Sequence, residues 1–375
     1  MDRARRVGVP LVVLLAALGS LAGCAVGYDP VRFRTALDQR ELEQAGGMLD
    51  GALTRAKSGE TKQSGRDTGR LLLERASLRL ALEDFGGSIQ DFERADRLLD
   101  RQAMSRSRYL TGGHNPKATV YMYERGWSQA INLPYGAKFY ERLLLNPLAA
   151  LARLEQGDVP RACTEARRFG VMSDWTEQVA AGRARPVRAF GELVSVLACT
   201  GADPSLACAS LARVETLAPS LPSRVDISCG SPASGKARLA VMIGYGRPSH
   251  PRYPPEKPEQ VSLAGGAETN PERVVLALDG RELDTVEVLD VDDAVRADFA
   301  DSQRALVVHL FGQSGYAGGW SYLAWESLPA HIEFVTLDTS AGVHELSVQV
   351  RGRTQQRVVR LAAGEQRTAW FGVPW

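Results

Sequence analysis

Beyond its first two dozen residues this chain has no apolar run of the roughly 20 residues a bilayer-spanning helix needs. An excess of charge is also missing. With 45 Lys and Arg against 44 Asp and Glu, and no basic block, neither nucleic acid nor an anionic lipid surface is indicated as a partner. Histidine is scarce. The five are His114, His250, His309, His331 and His344, and no pair has the i, i+4 spacing of a metal-binding helix. No C-x-x-C is present to hold zinc. Gly244-Tyr245-Gly246 runs into Arg247-Pro248 with no third glycine, which excludes a dinucleotide fingerprint. Phe311-Gly312-Gln313-Ser314-Gly315 is not a nucleophile elbow. Asp290, Asp292 and Asp293 lack the glycine and terminal glutamate of a calcium loop, and read as the cap of a helix beginning near 292. No catalytic residue, cofactor or metal is therefore expected, and the chain is not expected to be an enzyme.

What is present begins at the N-terminus. Arg3, Arg5 and Arg6 precede an apolar run from Val7 to Leu21, which ends at Leu21-Ala22-Gly23-Cys24. A positive start, a short apolar core and a small-residue exit make a secretory signal peptide over 1–23. The exit resembles the lipobox of bacterial lipoproteins, which implies cleavage before Cys24 and a diacylglycerol on its sulfur. Each buried methylene contributes about 0.8 kcal/mol, so several acyl chains hold firmly where one holds weakly. Ala25 follows the cysteine, where lipoproteins kept at the inner membrane usually carry Asp. The expected location is the cell envelope, on the outer membrane facing the periplasm. Removing residues 1–23 takes the formal charge from +1 to −1. Export permits disulfides among Cys163, Cys199, Cys208 and Cys229. The composition leaves three full pairings open. Cys199 and Cys208 flank the turn 200–204 and would stand at similar height on antiparallel helices, so this pair is expected first.

The mature chain reads as α+β, with a helical domain at 24–219, a Pro- and Ser-rich linker at 220–234 and a mainly β domain at 235–375. Three segments share a pattern: 83–95, 157–169 and 202–219. Each has a short turn ending in Asp84, Asp158 or Asp203, then a small residue (Ser88, Ala162, Ala207) where two helices must approach closely, then apolar positions on one face. The spacing fits the second half of a 34-residue tetratricopeptide repeat. Helices at 71–82, 143–154 and 187–200 precede them, the first with Leu72, Ala76, Leu80 and Leu82 inward. Residues 30–56 read as one more pair with Ala36, Leu37, Leu42, Ala45, Leu49 and Leu53 as core. Residues 105–137 break the pattern and carry Tyr109, Tyr121, Tyr123 and Trp127, a candidate partner-binding surface. Further on, strands are expected at 236–243, 274–278 and 286–289, a helix at 292–310, and four strands between 332 and 373. Asp279-Gly280 is a hairpin signal.

Leu133-Pro134-Tyr135, Phe139 to Leu144, Gly157-Asp158 and Glu165 to Arg168, with Val275 to Phe299 and Trp325 to Ile332, resemble a family of bacterial tetratricopeptide-repeat lipoproteins. The resemblance covers about half the chain. It implies architecture and location, since the family carries no known reaction. The expected function is a non-enzymatic scaffold or adaptor that binds a protein partner at the envelope, in envelope assembly or cell-wall synthesis. The alternative is an envelope hydrolase or carbohydrate-binding protein with a site near Trp320, Trp325 and His331.

Overall fold

Chain reversals set the helical half. The computed structural model describes residues 29–58, 68–111, 138–180, 184–252, 262–264, 273–297, 325, 327–350 and 352–373. Its first helices are α1 (Pro30–Asp38), α2 (Leu42–Ser58), α3 (Thr68–Ala81), α4 (Phe85–Thr111), α5 (Phe139–Glu155), α6 (Val159–Ala180), α7 (Arg185–Cys199) and α8 (Pro204–Leu217). Three reversals share one device. Arg40, Glu83 and Gly157 adopt positive φ after α1, α3 and α5. At each, the next N–H bonds a carbonyl five residues back, as in Asp84 to Arg79 and Asp158 to Arg153. This Schellman closure satisfies the last carbonyls of a helix. After Glu83 and Gly157 an aspartate then caps the next helix, and Asp203 does so after the α7–α8 turn. Asp84 accepts the Gly87 N–H, Asp158 that of Arg161, and Asp203 that of Leu206.

The close-approach positions behave as their small side chains require. Ser88, Ala162 and Ala207 are fully buried, and the Ser88 hydroxyl donates to the Ala76 carbonyl at 2.8 Å. The six apolar residues expected as core in α1 and α2 are all buried. Leu82 is not. It falls in the turn after α3 and is 46% exposed, because that helix ends one residue earlier than the apolar run.

The disulfides differ from the expected pair. Cys163 joins Cys199 and Cys208 joins Cys229, with Cα separations of 4.7 and 5.0 Å. Cys199 and Cys208 do flank the α7–α8 turn, but helical phase separates them. Successive residues rotate by about 100°. Ala207 faces inward, so Cys208 next to it faces out. There it meets Cys229 in the irregular segment after α8, while Cys199 points at α6. That segment is pinned to the core by buried Leu221 and Val225.

The C-terminal half forms two stacked sheets. The first orders β10 (Gln366–Gly372), β1 (Lys236–Tyr245), β7 (His331–Ser340) and β6 (Val286–Asp290). The second orders β5 (Arg281–Leu283), β4 (Val275–Leu278), β8 (Gly342–Val350) and β9 (Arg353–Leu361), and β2 (His250–Arg252) pairs with β3 (Ser262–Ala264). Strand β10 runs parallel to β1 and the other pairings are antiparallel. Asp279 and Gly280, both at positive φ, turn β4 into β5 as expected. The alternating faces of β1 divide the interior. Leu239, Val241 and Ile243 pack between the sheets, whereas Ala240 and Met242 join one cluster with the helices. Helices, mixed sheet and antiparallel sheet thus form three layers, with α5 and α7 against the mixed sheet. The fold is α+β, with helices mostly N-terminal and strands mostly C-terminal.

Residues 291–297 are helical (α9), beginning one residue before the expected 292–310, of which 298–310 lie outside the described residues. Its cap is Asp290, which accepts the Asp293 N–H at 3.1 Å. Asp292 instead accepts the Ser249 N–H and pairs with Arg296.

Candidate functional site

Two places bring polar side chains together across the layers. The first lies where the irregular segment leading into β7 crosses α3. Trp325 is 1% exposed, and its ring meets Phe92 of α4 edge-on at 5.9 Å. Its indole N–H donates to Ser77 Oγ at 2.8 Å, and its backbone N–H donates to Glu141 at 2.6 Å. Two residues on, the Ser327 N–H donates to the Glu74 carboxylate at 2.8 Å, and its hydroxyl meets that of Ser77. Glu74 and Glu141 are fully buried. A buried carboxylate is tolerated when its oxygens are satisfied, and here backbone N–H groups of the irregular segment before β7 help to satisfy them. The helices hold this stretch as they would a bound peptide, with one aromatic anchor and main-chain bonds on both sides. Gly246 follows β1 at positive φ, and a Cβ there would lie 3.2 Å from that of Ala330, so glycine permits the crossing.

The second place is the edge strand β6. Glu287 pairs with Glu333 and Leu289 with Ile332, so Val288 is the extra residue of a β-bulge. Residues three apart in a regular strand face opposite ways. The bulge cancels that alternation. Val286 and Leu289 both enter the helix-facing core, and Glu287 and Asp290 are both left on the other face, beside His331. The His331 ring stacks on Tyr245 at 5.4 Å, and its Nδ1 lies 2.6 Å from Glu287. The hydrogen bond to Glu287 holds the His331 pKa above its usual value. Burial raises the Asp290 carboxyl, and the Asp293 N–H and His331 offset part of that rise. Burial and Glu333 raise the Tyr245 phenol, which donates to Glu333 at 3.0 Å. Thr285 also donates to Glu333. Glu333 is thereby satisfied, whereas Glu287 and Asp290 each keep one oxygen without a donor among the described residues. Such a set can exchange a proton between imidazole and carboxylate, or offer lone pairs to a cation.

A third feature is a cleft of about 290 Å³ between α5 and the β9 and β10 edges, lined by Glu155, Arg357, Arg360 and Arg367. Glu155, raised by burial, is held by Arg357 and by the Trp370 N–H, so its charge is already answered.

Cys24, Tyr121, Tyr123 and Trp127 lie outside the described residues, as do Trp320 and the Tyr109 side chain, although Tyr109 itself lies within α4. Of the residues named for the alternative site, Trp325 is core and His331 belongs to the β6 cluster. Sequence reasoning passed over Glu287. Its partners lie 3 and 44 positions away, and no local spacing marks a bulge. The two glycines of Gly244-Tyr245-Gly246 serve packing, since a Cβ on Gly244 would strike the Trp370 ring. No helix of the described residues is long and apolar enough to cross a membrane. No family model matches the chain, and neither does any curated protein or solved structure.

Proposed function

We propose that this chain is a lipoprotein of the bacterial cell envelope, anchored through Cys24 and working as a non-enzymatic scaffold that binds a protein partner. The carrying observation is the manner in which the helical half holds Trp325 and Ser327. Paired helices take up an irregular segment through one buried aromatic ring and carboxylates that accept its backbone N–H groups. The same chemistry serves a partner peptide at another position along a stack of helix pairs. Supporting it are the lipobox-like exit, two disulfides suited to an oxidising compartment, and helix pairs whose caps and close approaches recur in the manner of tetratricopeptide repeats. Residence on the outer membrane, facing the periplasm, follows from Ala25. The aromatic insertion with Tyr109, Tyr121, Tyr123 and Trp127 is the proposed contact, because buried aromatic anchors often contribute 2 kcal/mol or more on truncation.

The experiment is crosslinking of the lipidated protein in its own membranes, with Tyr121→Ala and Trp127→Ala compared against wild type. Loss of one specific crosslinked species at unchanged melting temperature supports the contact. A fall in melting temperature with the crosslink retained assigns these residues to the core instead. The second reading, an envelope hydrolase or carbohydrate-binding protein, is favoured by the convergence of His331 with Glu287 and Asp290. Turnover of a peptidoglycan or lipid substrate by the purified mature protein, abolished by Glu287→Gln, would replace the scaffold reading.

A further inference from the structure

We propose that Glu287, Asp290 and His331 form a binding site for one divalent transition-metal ion of the zinc class. Each side chain offers one donor atom, and the three donors lie within 4.8 Å of one another. Ligands about 2.0–2.2 Å from zinc stand roughly 3.3–3.6 Å apart in a tetrahedron, so the donors need to draw together by at most about 1.5 Å. One imidazole with two carboxylates suits zinc and its first-row neighbours better than the all-oxygen cages of calcium or magnesium. Three protein ligands leave a fourth position open to water or an outside group.

Three features set the cluster apart from ordinary surface acids. The bulge at Val288 places Glu287 and Asp290 on one face, which regular strand geometry forbids. Elsewhere several buried carboxylates of this protein are paired with arginine. Asp91 has Arg75 and Arg79, Asp96 has Arg142 and Arg168, and Glu155 has Arg357. Among the described residues Glu287 and Asp290 have no such partner, and each retains an oxygen that accepts no hydrogen bond. Finally, His331 Nδ1, the ring nitrogen on the carboxylate side, has Glu287 as its hydrogen-bond partner among the described residues. Capping of α9 explains one oxygen of Asp290 and nothing of Glu287 or His331. The stack on Tyr245 fixes the imidazole plane, and the proton shared between His331 Nδ1 and Glu287 is the one an arriving cation replaces.

The test uses the full mature chain, stripped with chelator, titrated calorimetrically with Zn²⁺ and by visible absorption with Co²⁺. The expected result is one saturable equivalent. His331→Gln and Glu287→Gln should each weaken it by about 100-fold or more, and the Co²⁺ spectrum should change in the histidine variant. His344→Gln, which alters a histidine paired elsewhere with Asp279, should leave the affinity unchanged. Should His331→Gln fail to fold, Glu287→Gln carries the comparison, because that side chain is 47% exposed. Absence of saturable binding below a concentration on the order of 1 mM would overturn the site, as would equal binding by both variants and wild type. Displacement of Zn²⁺ by equimolar Ca²⁺ or Mg²⁺ would overturn the metal class. None of these outcomes bears on partner crosslinking.

Discussion

Replacing Trp325 with alanine tests whether the helices and the sheets share one folding unit. The indole is fully buried between α3, α4 and the segment entering β7, in a cluster that also contains Phe92, Tyr140, Phe334 and Trp370. Truncating a buried aromatic to alanine typically costs about 3–5 kcal/mol, from lost transfer energy and the cavity left behind. The lost indole N–H bond adds little, since Ser77 Oγ keeps Ser327 and the Leu73 carbonyl as partners. The backbone N–H to Glu141 survives the substitution. Unfolding entropies of about 2.1 cal/mol/K per residue, taken over the mature chain, convert each kcal/mol into roughly 1.4 °C. The expected fall in melting temperature is therefore about 4–7 °C. Calorimetry alongside far-ultraviolet dichroism should show helical and β signals falling together. Ser327→Ala, which keeps the ring and loses only the hydroxyl bonds, should cost about 1 kcal/mol. A shift below roughly 1 °C for Trp325→Ala, or a β transition that moves while the helical one stays, would refute a shared core at this position.

Further outcomes follow from other residues. Cys24→Ala should abolish palmitate labelling and leave an uncleaved precursor; label in that variant contradicts the anchor. Non-reducing peptide mapping should recover Cys163 with Cys199 and Cys208 with Cys229, and opening either loop, of 36 or 21 residues, should cost about 3–4 kcal/mol. His344 donates from Nδ1 to Asp279 and from Nε2 to the Ser340 carbonyl, which requires the imidazolium form. The Asp279 bond chiefly raises the His344 pKa, and the same bond chiefly lowers that of Asp279. The histidine contribution is complete below its unfolded value of about 6.5 and is lost as pH rises through the higher folded value. The aspartate contribution is complete above about 3.9 and is lost as pH falls through the lower folded value. The melting-temperature difference between wild type and His344→Gln should thus be largest at about pH 4–6.5 and shrink on either side. A difference that grows toward pH 9 would contradict the imidazolium.

Local chemistry by itself determined much of this molecule. The aspartates that cap α4, α6 and α8, the small residues at Ser88, Ala162 and Ala207, the apolar faces of α1 and α2 and the Asp279-Gly280 turn act within a few residues of themselves. A sequence window contains their causes in full. The disulfide pairing was decided by tertiary structure, because the α7–α8 turn sets the height of Cys199 and Cys208 but helical phase and the packing of α6 set their direction. The three-layer arrangement was decided there too. Alternation of Ala237, Leu239, Val241 and Ile243 announces one buried face of β1, and only the fold shows the other, with Ala240 and Met242, meeting helices. The acidic cluster lay furthest from the sequence. Glu287 and Asp290 have the wrong spacing to share a face of a regular strand, and only the bulge at Val288, enforced by burying Val286 and Leu289 together against the helices, turns both toward a histidine 41 residues beyond Asp290.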